Sequence, residues 1–494
     1  MFVIYTLVSF VIFIYFAYYY FTRSFKYWQS RNIPGPQPVP FFGNFKEYAL
    51  RKSTAPSIHK QIYDDYPNEK VVGFYRMTRP SLLIRDLDVV KNVLIKDFEY
   101  FEDRGIDFSV EHLGANLFHA DAKIWRPLRN RFSPLFTIGK LKNMIPLINE
   151  RADLFINHVK NITEKKGDQE IYTLVKKFTV SSIMACAFGV DINEDSGKLI
   201  QKMNEIDHLT FSRNISVELD LFHPGILKKL NSSIFQKGIS KFFLKLINDV
   251  LQARNGVPST RNDLIDLVLE LKNKGNYVKL TNEVIAAQAF IFYVAGYETS
   301  AITMAFMLYE LAMNPPMQEK IIAEVDEVLS RHDGKITYDI ISELSYMDKV
   351  FNETLRKYPL SADIVRRAKS NYNIRGTDIT IEKGISILVP VLGISHDEKY
   401  YPNPKKFDPE RFSPENESKR HPCAFIPFGA GPRQCIGKLF GIIQSRVCML
   451  KFFSNFRVEV SKNTPTTIIF DPQRVVNVPK GGIQLNILPR KFAE

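Results

Sequence analysis

The sequence is poor in cysteine, in clustered basic charge and in repeats, and each shortage excludes a class of protein. Four cysteines among 494 residues are too few and too widely spaced for a disulfide framework or a Cys-x-x-Cys metal site, which favours a reducing compartment. Lysine and arginine are scattered without the dense basic stripe that phosphate tracking requires, which argues against nucleic acid. Internal repeats and glycine- and serine-rich linkers are also lacking, so we interpret the body as one domain.

The overall charge and the apolar content are high enough to be informative. The formal net charge of +13 predicts an anionic partner, such as acidic lipid headgroups or an acidic protein surface. Hydrophobic residues make up 45% of the chain and charged residues 24%, which is sufficient for a large buried core. The composition therefore excludes a disordered protein.

The chain begins with an uncharged apolar run over residues 2–21. A helix of about 20 residues spans a hydrocarbon core of about 30 Å, so this run is long enough to cross a bilayer. A cleaved signal peptide is the alternative, but the run has no basic residue before it and no small-residue cleavage site after it. Arg23, Lys26 and Arg31 follow the run, which by the positive-inside rule places the body in the cytosol.

Three regions follow from these patterns. Residues 1–22 are predicted to form an N-terminal membrane anchor, and residues 23–43 a basic, proline-rich hinge that proline keeps extended. Residues 44–494 are predicted to form a single catalytic domain. Helical periodicity dominates this domain, and short strand patterns lie near 70–84, 373–390 and 483–487, so the predicted class is mainly α with small β-sheets.

The longest helical pattern covers residues 281–314, with Thr281 as its N-cap and two prolines after its end. Its middle is almost wholly apolar, so a second membrane span is an alternative. The polar residues Gln288, Glu298 and Thr299 lie inside it, and no basic flank marks a cytosolic end. We therefore favour a buried central helix.

The strongest local signal is the loop Phe428-Gly-Ala-Gly-Pro-Arg-Gln-Cys-Ile-Gly437. One alternative is a structural thiol, since most intracellular cysteines are buried and inert. Another is a dinucleotide loop, but Gln434 stands where the third glycine of that pattern belongs. A thiolate that binds iron needs backbone N–H donors around its sulfur, and glycines at 429, 431 and 437 let the backbone approach.

Three side chains of this loop have chemistry that suits a metal centre. Phe428 can cover the sulfur side of a flat ring, and Arg433 offers two parallel N–H donors to a carboxylate. Cys435 precedes an apolar helical run, and a helix N-terminus favours the thiolate. The loop therefore predicts Cys435 as a metal ligand.

This loop resembles the F-x-x-G-x-R-x-C-x-G haem-binding loop of the cytochrome P450 family. Four more motifs match the family in the same order: W-x-x-x-R at Trp125, A-G-x-[D/E]-T at Ala295, E-x-x-R at Glu353, and P-E-R-F at Pro409. The match covers nearly the whole chain. The resemblance implies the family's triangular prism fold, with haem b (iron protoporphyrin IX) between the central helix and the Cys435 loop.

The resemblance also implies roles for individual residues. Glu353, Arg356 and Arg411 would form a buried, structural triad. Pro127 lies inside the W-x-x-x-R motif, and since proline fits a first turn we expect the helix to begin there. The residues expected to bind the cofactor are Cys435, Trp125, Arg129, Arg366, Arg433, Phe428, Gly431, Ala295 and Gly296.

The segment Ala295-Gly-Tyr-Glu-Thr-Ser300 resembles the family's oxygen-activation motif. A polar pair in a helix that happens to contain glycine is the alternative. In the functional interpretation Gly296 permits a local widening of the helix where dioxygen can lie, and Thr299 with Glu298 relays protons. Thr299 and Glu298 are therefore the predicted catalytic residues.

By resemblance the reaction inserts one oxygen atom from O₂ into a lipophilic substrate, either a foreign compound or an endogenous lipid or hormone. The alternatives are an isomerase or dehydratase of oxygenated lipids on the same fold, and a non-catalytic haem or lipophile binder. Phe101-Glu-Asp-Arg-Gly105 looks most like insect microsomal members associated with detoxification. This implies the endoplasmic reticulum membrane, with the catalytic domain on its cytosolic face.

The source of electrons follows from a further absence. No flavin or nicotinamide fingerprint occurs, so the resemblance implies NADPH–cytochrome P450 reductase as the partner, with cytochrome b5 as a second donor. The basic surplus suits an acidic docking surface. The expected docking residues are Lys123, Arg126, Arg131 and Lys438.

Overall fold

The computed structural model describes residues 1–490 apart from 107–111, 165–166, 193–195, 215–217, 219, 221–225, 231–236 and 274–279. Most of the described residues are helical. In chain order the α-helices are α1 (Phe2–Thr22), α2 (Lys46–Ala49), α3 (Ala55–Asp65), α4 (Leu87–Lys91), α5 (Ala122–Phe132), α6 (Ile138–Lys142), α7 (Ile145–Thr163), α8 (Ile171–Ile183), α9 (Gly197–Phe211), α10 (Ile226–Lys229), α11 (Lys237–Ala253), α12 (Leu264–Asn273), α13 (Asn282–Met313), α14 (Pro315–Arg331), α15 (Tyr338–Ile341), α16 (Ser345–Lys357), α17 (Val391–Ser395), α18 (Pro414–Glu417) and α19 (Lys438–Asn455).

The strands are short and form small sheets. They are β1 (Val71–Arg76), β2 (Arg79–Ile84), β3 (Gln169–Glu170), β4 (Ile364–Arg367), β5 (Tyr372–Asn373), β6 (Thr380–Ile381), β7 (Ser386–Val389), β8 (Phe456–Val460) and β9 (Gln484–Pro489). The sheets have the strand orders β1-β2-β7-β4, β3-β9-β8 and β5-β6. Strands β2 and β7 pair in parallel, and the other neighbours are antiparallel. The predicted class, mainly α with small sheets, is confirmed.

Helix α13 runs through the core, as predicted. Thr281 caps it by accepting a hydrogen bond from Val284 N at 3.3 Å, and Asn314 follows its last residue. Among the described residues, three helical segments are long and apolar enough to span a membrane: α1, Ile171–Phe188 and α13. The apolar stretch of α13 is 83% buried inside the protein, whereas that of α1 is not buried at all. Burial within the protein therefore explains the apolar sequence of α13, and α1 remains the candidate anchor.

The segment after α1 packs against β1. The Trp28 indole is buried, and its N–H donates to the Phe74 carbonyl at 3.1 Å. A Cβ atom at Gly73 would lie 2.4 Å from that indole, so the glycine leaves the space that Trp28 fills. Arg31 forms an ion pair with Glu382 at 2.5 Å. The first part of the 23–43 segment is thus attached to the sheet.

Helix α5 corrects one expectation from the sequence. The helix begins at Ala122 and Pro127 lies in its interior, so the prediction that the helix begins at the proline was wrong. The Asp121 side chain caps the start by accepting from Ile124 N at 3.2 Å. A cap and a buried face that includes Trp125 outweigh the one backbone hydrogen bond that an internal proline removes.

In the Glu353 triad, defined as Glu353, Arg356 and Arg411, the first two residues are buried as expected and Arg411 is half-buried. Arg356 donates to both carboxylate oxygens of Glu353, through Nε at 2.7 Å and Nη2 at 2.8 Å. Arg411 Nε lies 3.5 Å from the same carboxylate. Glu353 and Arg356 are both fully buried, so each compensates the charge of the other.

Candidate active site

The loop before α19 is a tight turn that brings Cys435 back beside Phe428. The Cys435 N–H donates to the Phe428 carbonyl at 2.8 Å. Gly429 and Gly431 have φ angles of +73° and +72°, which side chains other than glycine rarely adopt. A Cβ atom at Gly431 would lie 1.8 Å from the Leu94 carbonyl oxygen. Gly431 therefore lets the loop rest directly on the backbone of the 92–96 segment.

The Cys435 thiol is the one exposed among the four cysteines, and it lines a cavity of about 370 Å³ together with Arg129 and Lys438. Although the residue is accessible from the cavity, desolvation by the surrounding protein atoms raises the pKa of the Cys435 thiol, while the Gly437 N–H and the Arg129 charge lower it. The thiol also lies just before the start of α19, where the helix dipole favours an anion. The other three cysteines are buried: Cys186, Cys423 and Cys448.

The guanidinium groups of Arg104, Arg366 and Arg433 lie close together and form the arginine cluster, in which Arg366 and Arg433 are buried and Arg104 is half-buried. Among the residues that the structure describes, the Nε atoms of all three and Nη1 of Arg433 are buried and have no hydrogen-bond partner. Burial lowers the pKa of Arg433 to about 9, and the charge of Arg104 contributes to this. Burial also lowers the pKa of Arg366, with Arg104 and Arg433 as the next causes. Such an excess of buried positive charge fits an anionic ligand with several carboxylate oxygens.

Two side chains of α5 border the same region. The Arg433 guanidinium lies over the buried Trp125 ring, 4.3 Å from its centroid. Arg129, one turn further along α5, lines the cavity of Cys435, and burial lowers its pKa. The structure thus brings together the residues that the sequence predicts as carboxylate partners of the cofactor.

Arg104 was missed by the sequence reasoning. Its segment, Phe101-Glu-Asp-Arg-Gly105, resembles the family but does not by itself indicate a role for the arginine. Burial lowers the pKa of Arg104 to about 10, and the neighbouring Arg129 charge adds to this. The position of Arg104 in the chain, shortly before Trp125, was the one signal that could have indicated a role at the site. The sequence alone does not predict that folding places this arginine beside Arg366 and Arg433.

The oxygen-activation segment presents one face of α13 to open space. Ala295 is exposed and Thr299 is half-buried, although the rest of this helix is largely in the core. The Thr299 hydroxyl donates to the Ala295 carbonyl at 2.7 Å. One hydroxyl is thereby held on the exposed face, where its lone pairs remain available to a further donor.

Gly296 lies where α13 packs against α8. Helix α13 continues as a regular α-helix through Gly296, so the structure contains no local widening there. A Cβ atom at this position would lie 2.7 Å from the Ile183 side chain, so the glycine permits close packing with α8. The Gly296 carbonyl also accepts from Gln444 Nε2 at 3.3 Å, which connects α13 to the helix that follows Cys435.

Glu298 belongs to a separate buried network. Its carboxylate accepts from the Tyr172 hydroxyl at 2.8 Å and from Arg474 Nη2 at 2.9 Å, and Lys176 Nζ lies 3.8 Å away. Burial raises the pKa of Glu298. Adjacent residues on a helix point about 100° apart, so Glu298 and Thr299 face different surroundings. The predicted relay through both residues is therefore not assembled in this structure.

The donor set suits a flat cofactor that carries two carboxylates and a metal bound by one thiolate. The arginine cluster supplies buried N–H groups that lack partners, and Cys435 supplies the thiol at the cavity. Among the described residues no group of three or more His, Cys, Asp or Glu side chains is placed to hold a metal ion directly. A haem, whose porphyrin provides the remaining metal ligands, fits these residues.

Comparison with known proteins gives the same result. The family model described as “Cytochrome P450” matches residues 33–487. “Cytochrome P450 6B1” of Papilio polyxenes is 53% identical over 96% of this chain and 97% of its own length. “Cytochrome P450 6B2” of Helicoverpa armigera is 50% identical over 96% of each chain. “Probable cytochrome P450 6a14” of Drosophila melanogaster is 35% identical over 95% of this chain and 97% of its own length. The chain therefore belongs to the cytochrome P450 family of haem-thiolate monooxygenases.

Proposed function

We propose that Cys435 would bind the haem iron through its thiolate, and that this monooxygenase acts on lipophilic small molecules, foreign compounds among them. The observation that carries this assignment is the position of the Cys435 thiol on a cavity beside buried arginines with unpaired N–H groups. Haem b, when bound, supplies the binding and reductive activation of O₂, with one oxygen atom going into the substrate and the other into water.

The surrounding side chains hold the cofactor in this proposal. Arg104, Arg366 and Arg433 pair with the propionates, because a carboxylate removes the repulsion among their buried charges. Trp125 and Arg129 complete the same contact from α5. Phe428 covers the sulfur side, and Lys438 lies over its ring at 5.7 Å. The Gly437 N–H stabilises the thiolate charge.

Proton delivery is assigned to Thr299, whose hydroxyl lies on the exposed face of α13. Glu298 would have to leave its hydrogen bonds with Tyr172 and Arg474 before it could exchange a proton with Thr299. We therefore propose that Thr299 works with water, and that Glu298 stabilises the packing behind it.

Electrons reach the family from a separate reductase, and we propose NADPH–cytochrome P450 reductase here, with cytochrome b5 as an additional donor. The docking surface would surround the cavity of Cys435. Lys438 lines this cavity, and Lys123 and Lys438 are both exposed, whereas Arg126 pairs with Glu102 and Arg131 donates to the Leu271 carbonyl. Lys123 and Lys438 are thus the freer charges for an acidic partner.

We further propose the endoplasmic reticulum membrane as the location, with residues 44–494 on its cytosolic face and residues 1–22 in the bilayer. The unburied apolar surface of α1 and the basic residues after it support this orientation. The haem domain is held to the anchor by residues 23–43. The packing of Trp28 and Arg31 on the body supports a fixed connection rather than a free hinge.

The difference spectrum of the reduced protein with carbon monoxide tests the ligand assignment. We expect the Soret band of thiolate ligation in the unmodified protein and its loss in Cys435→Ala. Cys448→Ala is the matched control, because this cysteine is buried in α19 away from the loop and its removal should leave the band in place. Loss of the band in the control alone would contradict the assignment. Turnover that requires NADPH and the reductase would separate oxygen insertion from isomerisation or simple binding.

A further inference from the structure

One buried glutamine joins the central helix to the 112–120 segment, which lies before α5. Gln288 Oε1 accepts from Leu117 N at 3.0 Å, and Gln288 Nε2 donates to the Ala115 carbonyl at 3.0 Å. The Gln288 side chain is only 1% exposed. Both ends of its amide are used on a single turn of the segment, so an apolar side chain of the same size would leave two backbone groups unpaired.

The turn that Gln288 holds is itself fixed from within. Asn116 Oδ1 accepts from the N–H groups of Phe118 at 2.9 Å and His119 at 3.0 Å. Asn116 Nδ2 donates to the Leu113 carbonyl at 2.5 Å. Asn116 is fully buried, so these bonds are protected from water. Gln288 therefore positions a preformed turn rather than a loose strand.

Gln288 lies on the face of α13 that borders the open space. Ala295 follows it by seven residues and Thr299 by eleven, which places all three within about 20° of one line along the helix. Seven residues correspond to about 10 Å along the axis. Ala295 is exposed on this face, so the turn attached to Gln288 stands at the edge of the same space.

The 112–120 segment also contacts the arginine cluster at its other end. The Ala120 carbonyl accepts from Arg433 Nη2 at 3.0 Å. The Arg104 guanidinium lies over the Phe118 ring, 4.4 Å from its centroid, and Phe118 is partly exposed. The segment is thus held between the central helix and the residues assigned to the cofactor.

We propose that Gln288 is a positioning residue that sets the width of the substrate space, by fixing the distance between α13 and the 112–120 segment. This inference rests on the proposed haem site, since the space can hold a reacting substrate only if the cofactor binds at Cys435. The hydrogen bonds of the Gln288 side chain go to backbone groups of Ala115, Leu117 and Val284. Its effect on a ligand is exerted through the backbone of Ala115 and Leu117, and therefore depends on the size of the ligand.

Two azoles of different size test the proposal. Imidazole and phenylimidazole both coordinate ferric haem, and spectral titration gives a Kd for each. In Gln288→Leu we expect the Kd of phenylimidazole to change about tenfold, because two backbone groups lose their buried partner and the wall moves. Imidazole is too small to meet that wall, so its Kd should stay within about twofold. If the leucine variant does not fold, Gln288→Met provides the same comparison, because the methionine side chain has about the same length as glutamine.

Gln318→Leu is a matched control. Gln318 is a buried glutamine of α14 that also makes a pair of hydrogen bonds to backbone groups. It donates to the Val458 carbonyl at 2.8 Å and accepts from Val458 N at 2.7 Å. We expect a similar loss of thermal stability in both variants, with a changed ratio of the two azole Kd values only in Gln288→Leu.

Equal ratios in Gln288→Leu, Gln318→Leu and the unmodified protein would show that Gln288 is merely structural and would overturn the proposal. An equal change in the Kd values of both azoles in Gln288→Leu would overturn the proposal as well, because the substitution would then affect the haem itself. Failure of the unmodified protein to bind either azole would refute the proposed haem site, a result that is separate from any property of Gln288.

Discussion

The Glu353 triad and the arginine cluster are both buried groups of charge, and they differ in whether they contain their own counter-charge. In the triad one carboxylate receives both N–H groups of the neighbouring guanidinium within 2.8 Å. In the arginine cluster Asp103 lies 4.0 Å from Arg433, and several N–H groups have no partner within the described part of the chain. Glu353 thus neutralises Arg356 within the triad, whereas the arginine cluster fits an anion from outside.

This difference separates a structural site from a binding site. A buried charge with its partner in place contributes to the integrity of the fold, and removing either partner leaves the other unpaired. A buried excess of one sign costs free energy in the protein alone and is compensated when a ligand of the opposite sign binds. The two clusters should therefore respond in opposite ways to the removal of a single charge.

The largest effect is expected for Glu353→Gln. The substitution keeps the shape of the side chain but leaves the fully buried Arg356 without its carboxylate. We expect the free energy of unfolding to fall by about 3–5 kcal/mol, measured by denaturant unfolding with and without haem. The double variant Glu353→Leu with Arg356→Leu should lose less than the sum of the single variants, because no charge is then stranded. An unchanged free energy of unfolding in Glu353→Gln would contradict the view that the triad is structural and the arginine cluster a binding site.

Arg366→Leu should weaken haem binding and spare the protein alone. One charge-assisted contact to a propionate is worth roughly 2 kcal/mol, so we expect the rate of haem loss to rise by more than about tenfold. Burial and like charge already lower the pKa of Arg366, so its removal should leave the unfolding of the haem-free protein unchanged or more favourable to the native state. Haem transfer to an acceptor protein and haem-free unfolding measure the two quantities. A destabilised haem-free protein would contradict the comparison.

The pH dependence of stability provides a finer test at the edge of the arginine cluster. Burial, with a contribution from Arg104, lowers the pKa of His119 from 6.5 to about 3. Its stabilising contribution is present above pH 6.5, where the unfolded chain is neutral as well, and is lost as the pH falls towards 3. The free energy of unfolding should fall by up to about 1.4 kcal/mol per pH unit in this window, and His119→Gln should reduce that slope.

His396→Gln is the control for this titration. Burial is the first cause that lowers the pKa of His396 to about 4, and Arg356 contributes. Removing His396 should reduce the slope of the free energy of unfolding against pH only between pH 6.5 and about 4. For His119 the affected range extends about one pH unit lower. Identical pH profiles for the two variants would exclude His119 as the group that titrates lowest.

The smallest effect is expected for an exposed pair outside both clusters. Lys245 lies 2.7 Å from Asp249 one helix turn away, with both side chains mostly exposed. Lys245→Ala should change the free energy of unfolding by less than about 0.5 kcal/mol, and salt should reduce even that. A larger loss, measured by denaturant unfolding, would mean that burial is not what distinguishes the clusters from the surface.

Local sequence patterns were sufficient for the main elements. The N-terminal apolar helix, the central helix at 281–314 and the turn at Cys435 were predicted within about a residue, because each depends on neighbours within a few turns. The strand patterns near 70–84 were confirmed as β1 and β2. Strands β3, β4 and β8 were missed, since short strands are defined by partners far away in the chain.

What the sequence determined by itself is the type of chemistry, since the thiol, the glycines and the helix start around Cys435 lie within ten residues. Only the tertiary structure decided how the other charges are used. Arg104 and the Arg433 carbonyl meet across 329 residues of chain, and the Glu298 carboxylate meets Arg474 across 176. Whether a charged side chain is paired, and with which partner, depends on such distant contacts, because folding buries the group and thereby makes its partner energetically necessary.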